Sequence, residues 1–296
     1  ERDVPIGVLT DRECVRLVYA PRGESTGYVT FVVRHMAEVP GRPILAALLT
    51  LLGEQRLFAL PSTQRLPALL RQSRKYQNEV SERLAEQVLE SLWRLLYGFQ
   101  AADDFSHGEL LRDVLRDAPN DVYGGLLATI MRMVFTLYAE DQGLLPMEAK
   151  IYAENYSLLR LFERLREDTS HFPDTMSERY GAWVQLLTLF RLLHDGASHA
   201  GFHLPARHGR LFDPDAYPFL EGRTRSATAA NGATFAVPNV PRISDGVVYG
   251  ILEKLLHLDG DRLSYAALDV EEIGSVYEAM MGFQIEVTTG RAIGVK

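Results

Sequence analysis

Residues Leu126 to Pro146 read LLATIMRMVFTLYAEDQGLLP, and this stretch decides the fold. Leu126, Leu127, Ile130, Val134, Leu137 and Tyr138 recur at the spacing of one helical face, and Met133 widens the stripe to that of a core helix. Gly143 suits the left-handed conformation that closes a helix, and Pro146 has no amide proton with which to continue one. Glu140 and Asp141 therefore fall in the last turn, where the helix dipole disfavours negative charge. Such a pair either faces water or has a partner. The expectation is that at least one of the two, Asp141 ahead of Glu140 as the shorter carboxylate, accepts hydrogen bonds from the GLLP backbone or from an arginine of another helix.

On the N-terminal side, VPIGVLT, VRLVYA and YVTFVV within residues 4–33 are short β-branched and aromatic runs separated by Asp11 and Arg12 and by a Pro21 to Gly27 loop, which predicts a β-meander. A helix from Pro43 to Leu52 follows, with proline in its first turn. Periodicity is lost from Gly53 to Pro67, where Pro61 and Pro67 mark a linker. Helix is expected again over Asn78 to Tyr97 and His107 to Arg116, with Asp121 or its predecessors capping the central helix.

On the C-terminal side, helices are expected at Tyr152 to Leu165 and Trp183 to Leu193. Ser244 or Asp245 caps another with Val247, Val248, Ile251, Leu252, Leu255 and Leu256 on its apolar face, and DVEEIGSVYEAMM forms the last. Residues 194–242, rich in proline and glycine, are the long irregular part. The fold class is therefore α+β, mainly α, with a small β-meander followed by a large helical bundle.

Composition sets outer limits. With 296 residues and 47% hydrophobic content, the chain buries a sizeable core as one large or two modest domains. Its lone cysteine, Cys14, excludes an internal disulfide and a cysteine zinc site, in keeping with a cytoplasmic setting. Every apolar run is interrupted by Arg, Glu or Asp, so no membrane span and no membrane partner are expected. A chain that begins at Glu1 and ends after TTGRAIGVK at Lys296 reads as a piece of a longer protein.

The net charge of −8 opposes strong nucleic-acid binding by the whole surface. Three local basic spots remain as candidate DNA-backbone contacts: Arg71, Arg74 and Lys75; Arg207 and Arg210 beside His208; and Arg223 and Arg225. His194, His199, His203 and His208 cluster in one loop region, but their spacing matches no known ligand pattern, so they read as polar loop residues and no metal is assigned. There is no phosphate loop, no glycine-rich strand-to-helix turn and no nucleophile elbow, and Cys14 has no catalytic partner in sequence. No catalytic or cofactor-binding residue is assigned.

Four segments resemble a known family when taken in order: YAEDQGLLP, NYSL at Asn155 to Leu158, FDPDAYPFLEG at Phe212 to Gly222, and EIGSVYEAMM at Glu272 to Met281. Over roughly residues 75 to 285 they resemble the helical region of type IIG single-chain restriction-modification enzymes and related phage-defence adenine methyltransferases. In that family the helical region lies between a nuclease-like part and the methyltransferase domain. The resemblance implies that residues 1–60 close a nuclease-like α/β domain, with GVLTDRECVRLVYA as its last strands, and that residues 71–296 form the connector. No E-x-K metal triad stands on these strands. By the same resemblance, the whole protein would use S-adenosylmethionine to methylate adenine N6 in a flipped base, with endonuclease activity left open. This chain would carry no cofactor itself, would contact DNA weakly through phosphates, and would meet other proteins of a defence system. The rival reading is a non-catalytic helical module for protein–protein interaction, which the acidic composition favours.

Overall fold

The structure is a computed structural model that describes residues 4–23, 26–199, 202–223, 239–258, 260–265, 268, 270–282, 285–287 and 293–295. The fold is α+β and mainly helical. The chain divides into two compact units, Glu1–Glu79 and Val80–Lys296.

In the first unit, strands β1 (Ile6–Thr10), β2 (Cys14–Tyr19) and β3 (Gly27–Val32) form an antiparallel meander in that order. Asp11 makes the first turn. Its Oδ1 accepts the amides of Glu13 (3.1 Å) and Cys14 (2.9 Å), while Arg12 takes φ 74°. Leu17 and Phe31 are buried on the sheet. Short helix α1 (Val33–Ala37) leads into α2 (Arg42–Leu52), which has Pro43 in its first turn as expected. The stretch read as a linker holds two short helical turns, Gln55–Ala59 and Ser62–Gln64, tied by Arg65 Nε donating to the Leu60 carbonyl at 2.7 Å.

Pro67 does not end a linker. It sits in the first turn of α3 (Leu66–Phe105), a 40-residue helix that starts well before the expected Asn78. The boundary between the units falls inside this helix, later than the break expected between residues 60 and 71.

The second unit is built around α5 (Pro119–Asp141). That helix begins before the expected cap: Ala118 stands at the N-cap, Pro119 occupies the first turn, and Asp121 lies inside the helix. The short α4 (Arg112–Asp117) precedes it. Its expected start at His107 fails because His107 and Gly108 both have positive φ, 56° and 79°, in a turn closed by Asp103 Oδ1 on the Leu111 amide at 2.9 Å. Leu84, Val88, Leu92, Leu95 and Phe99 of α3 join one core with α5. The same core takes in α7 (Leu158–His171), α8 (Gly181–Asp195), α9 (Asp245–Leu256) and α10 (Val270–Met280).

The helix expected over Tyr152 to Leu165 is two helices, α6 (Lys150–Asn155) and α7, divided at Ser157. Ser157 is a true N-cap, its hydroxyl accepting the Arg160 amide at 3.3 Å. Ser244 caps α9 as expected, and Asp245 Oδ1 accepts the Ala182 amide at 2.7 Å, joining the starts of α8 and α9. Residues 194–223 include a hairpin, β4 (Ala197–His199) with β5 (Phe202–Leu204), that the sequence did not announce.

Helix α5 is long and apolar enough to cross a membrane, contrary to the sequence expectation that charge interrupts every such run. Most of it is buried inside the fold, and its charged interruption, Arg132, is buried with it.

Candidate functional site

The polar residues of α5 are where the fold becomes specific. Glu140 is buried, and its carboxylate accepts four hydrogen bonds: Tyr152 Oη (3.0 Å), Ser157 Oγ (3.1 Å), and the amides of Leu158 (2.8 Å) and Leu159 (3.3 Å). The first amides of α7 have no partner within their own helix, so Glu140 supplies acceptors for them. It also places negative charge at an N-terminus, where the dipole favours it. The charge that opposed the end of α5 is thus used at the start of α7. Burial pushes the Glu140 carboxyl up from its ordinary range, with the four donated bonds pulling the other way. Burial and the neighbouring carboxylate raise the Tyr152 phenol strongly, keeping its proton on and available to Glu140.

Asp141 has a partner too, though not one of those expected. Its Oδ2 accepts the amide of Tyr265 at 2.8 Å, and the buried Tyr265 hydroxyl donates to the Leu255 carbonyl at 2.9 Å. The GLLP backbone bonds elsewhere. Gly143, at φ 67°, donates to the Glu140 carbonyl (3.2 Å) and Leu144 to the Ala139 carbonyl (2.9 Å), which closes α5 as a Schellman turn. Asp141→Ala is expected to lower stability by about 1 to 2 kcal/mol, the cost of an unmade charge-assisted bond in a half-buried position. Denaturant unfolding beside the parent chain measures it, and an unchanged midpoint would assign the Tyr265 amide to water.

Phe212 to Gly222 lies along the other side of α5. Arg132, buried and 3% exposed, donates to the carbonyls of Leu211 (2.6 Å) and Asp213 (3.0 Å) and sits over the Phe190 ring. Burial depresses its guanidinium to about 10, so it stays cationic at neutral pH. Glu221 receives both Arg191 Nε and Nη2 (2.7 and 2.5 Å) and Arg223 Nε (2.8 Å). Gly124 and Gly125 let this segment close: a Cβ at Gly125 would lie 2.6 Å from Phe219 Cζ, and one at Gly124 2.8 Å from the Tyr217 hydroxyl. EIGSVYEAMM is tied to α5 through the Tyr123 hydroxyl, which donates to the Met280 carbonyl at 2.5 Å.

The candidate phosphate contacts differ from one another. Arg71, Arg74 and Lys75 fall at helical spacing on one face of α3, with Arg71 and Lys75 exposed and Arg74 half-buried. Arg207 and Arg210 are exposed in the loop after β5. Arg223 is tied within the chain. Each of its three nitrogens donates within the chain, to Glu221, to Asp215 Oδ1 (2.7 Å) and to the Pro214 carbonyl (2.7 Å), so it acts as an internal tie. It also borders a cleft shared with Asp113, Asp117 and Asp121, whose acids repel phosphate. Arg225 lies outside the described residues.

Cys14 is not an activated nucleophile, because its thiol donates to Asp11 Oδ1 (3.3 Å) and that bond raises its pKa. Of the four loop histidines, His199 and His203 stand exposed on the β4–β5 hairpin. His194 and His208 face each other edge to face, ring centroids 5.3 Å apart. Sequence spacing gave no sign of that pairing, because it depends on the hairpin that returns the chain to the end of α8. No protein-family model, curated protein or solved structure matches this chain.

Proposed function

We propose that this chain is the helical connector of an adenine-N6 DNA methyltransferase of the restriction-modification or phage-defence kind, holding a nuclease-like part and a methyltransferase domain at a fixed separation. One observation carries the reading. The four segments that resemble the family meet on one helix: Glu140 of the first caps α7 at the second, Arg132 and the paired glycines of α5 seat the third, and Tyr123 holds the fourth. A resemblance confined to these joints is a resemblance in architecture, which is the quantity a connector must preserve. The first unit supports the same reading, because Leu9, Tyr28, Leu49 and Phe58 stay exposed on its sheet and helices, as on a layer that packs against more protein.

On this reading catalysis belongs elsewhere in the full gene product. Residues 1–296 contain neither a glycine-rich methyl-donor loop nor the N/D-P-P-Y motif that holds a target base. Any DNA contact is through phosphates. Replacing Arg71, Arg74 and Lys75 together by alanine should weaken binding equally for all duplex sequences and flatten the salt dependence by about 0.9 for each phosphate no longer neutralised. Fluorescence anisotropy across a salt series measures this, and an unchanged slope would assign the three to a solvated face. The full gene product is expected to transfer a methyl group from S-adenosylmethionine to adenine. A full product without N/D-P-P-Y and without methylation would favour the interaction module instead.

A further inference from the structure

The chemistry that no part of the connector reading uses lies at the C-terminal end of α8. His194, Asp195 and His208 each bring one ligand atom to within 4.8 Å of the others, the one such group of three among the described residues. We propose that these three side chains bind a divalent cation of the zinc type.

The local backbone is built to bring them together. Gly196 ends α8 at φ 73°, and a Cβ there would lie 2.5 Å from the Ala206 amide nitrogen, so glycine is what lets the returning strand approach the helix end. The β4–β5 hairpin makes that return. Three bonds then hold the chain in place: the Arg207 amide to the carbonyls of Leu193 (3.3 Å) and His194 (3.2 Å), and the His208 amide to that of His194 (3.2 Å). His208 itself takes φ 43°, a left-handed conformation costly for a side chain with a Cβ, and one that turns its imidazole onto His194.

The charge balance favours a cation there. The last turn of a helix carries the negative end of the dipole, and Asp195 adds a carboxylate to it. Arg207 and Arg210 are exposed and able to extend into water, and Arg191, one helical turn before Asp195, donates to both carboxylate oxygens of Glu221. Two imidazoles and a carboxylate are a donor set suited to zinc, leaving further positions for water. With zinc–ligand distances of about 2.0 to 2.2 Å, tetrahedral geometry sets donor atoms about 3.3 to 3.6 Å apart. His194 Nδ1 and Asp195 Oδ1 now stand 2.7 Å apart in a hydrogen bond, so the ion would replace that proton and draw in His208, whose exposed side chain can rotate.

The test is calorimetric titration of the tag-free chain with zinc chloride, alongside the visible spectrum with cobalt(II). The expected result is saturable binding of a single equivalent, weakened more than about tenfold in His194→Ala and in His208→Ala. His199→Ala and His203→Ala should bind as the parent does, and all four should keep the parent's circular dichroism. No saturation by zinc overturns the site. So does equal weakening by the hairpin variants, which would mark diffuse binding by surface histidines.

Discussion

Glu140→Ala is expected to destabilise the second unit by about 3 to 5 kcal/mol, the range for removing one partner from a buried, fully hydrogen-bonded charge. The loss comes from the groups left behind. Without the carboxylate, the amides of Leu158 and Leu159 and the Tyr152 hydroxyl lose their acceptor at a buried helix start. Glu140→Gln should lose less, since one oxygen still accepts while the amide nitrogen faces donors. The effect of pH follows from the raised carboxyl. The folded state binds its proton more readily than the unfolded chain, so this group's contribution is fully present below the ordinary carboxylate range and falls as pH rises through the raised value. The stability gap between parent and Glu140→Ala should therefore widen on acidification through that window. Denaturant unfolding of both proteins at several pH values reads it. An alanine variant as stable as the parent at every pH would show that the start of α7 is served by water.

Much of this fold was legible in the sequence, and what escaped it has a common cause. The meander, α2, α8, the Ser244 cap and the Gly143 stop were each written within a few neighbouring residues, as side-chain period, cap or turn residue. The break between α6 and α7 carried a local signal in Ser157, but the apolar period running across it read as one helix. The partner of Glu140 carried no such signal, because Leu158 lies on the next helix but one and nothing in AEDQG specifies that contact. Asp141 drew a local expectation for the same reason: a short carboxylate near a turn is a local pattern, and nothing in AEDQG specifies its bond to the Tyr265 amide either. Arg223 is the opposite case. GRTR reads as a basic spot, and only the fold brings Glu221, Asp215 and the Pro214 carbonyl around it. Histidine spacing gave no sign of the His194–His208 contact, since a hairpin and not a helical turn sets the distance between them.

Arg132→Met is expected to cost roughly 3 kcal/mol, and two opposing effects decide that figure. Burial depresses the guanidinium to about 10, so methionine, shorter and without charge, relieves a real desolvation cost. Were that the whole account, the variant would match or exceed the parent in stability. Against it stand the carbonyls of Leu211 and Asp213, which Arg132 holds at 2.6 and 3.0 Å and which methionine cannot serve. Arg132 also offsets the charge of Glu221 and Asp213 from the core side. Glu221 keeps Arg191 and Arg223 in the variant, so the unmade carbonyl bonds should dominate. Arg132→Lys separates the terms, because it restores the charge but as a single ammonium that cannot span two carbonyls in the planar manner of a guanidinium. The lysine variant should recover only part of the loss in denaturant unfolding. Full recovery would make charge, not shape, the reason for arginine in α5. A methionine variant no less stable than the parent would mean that the Phe212 to Gly222 segment is held to the core by Tyr217 and Phe219 packing on the two glycines alone.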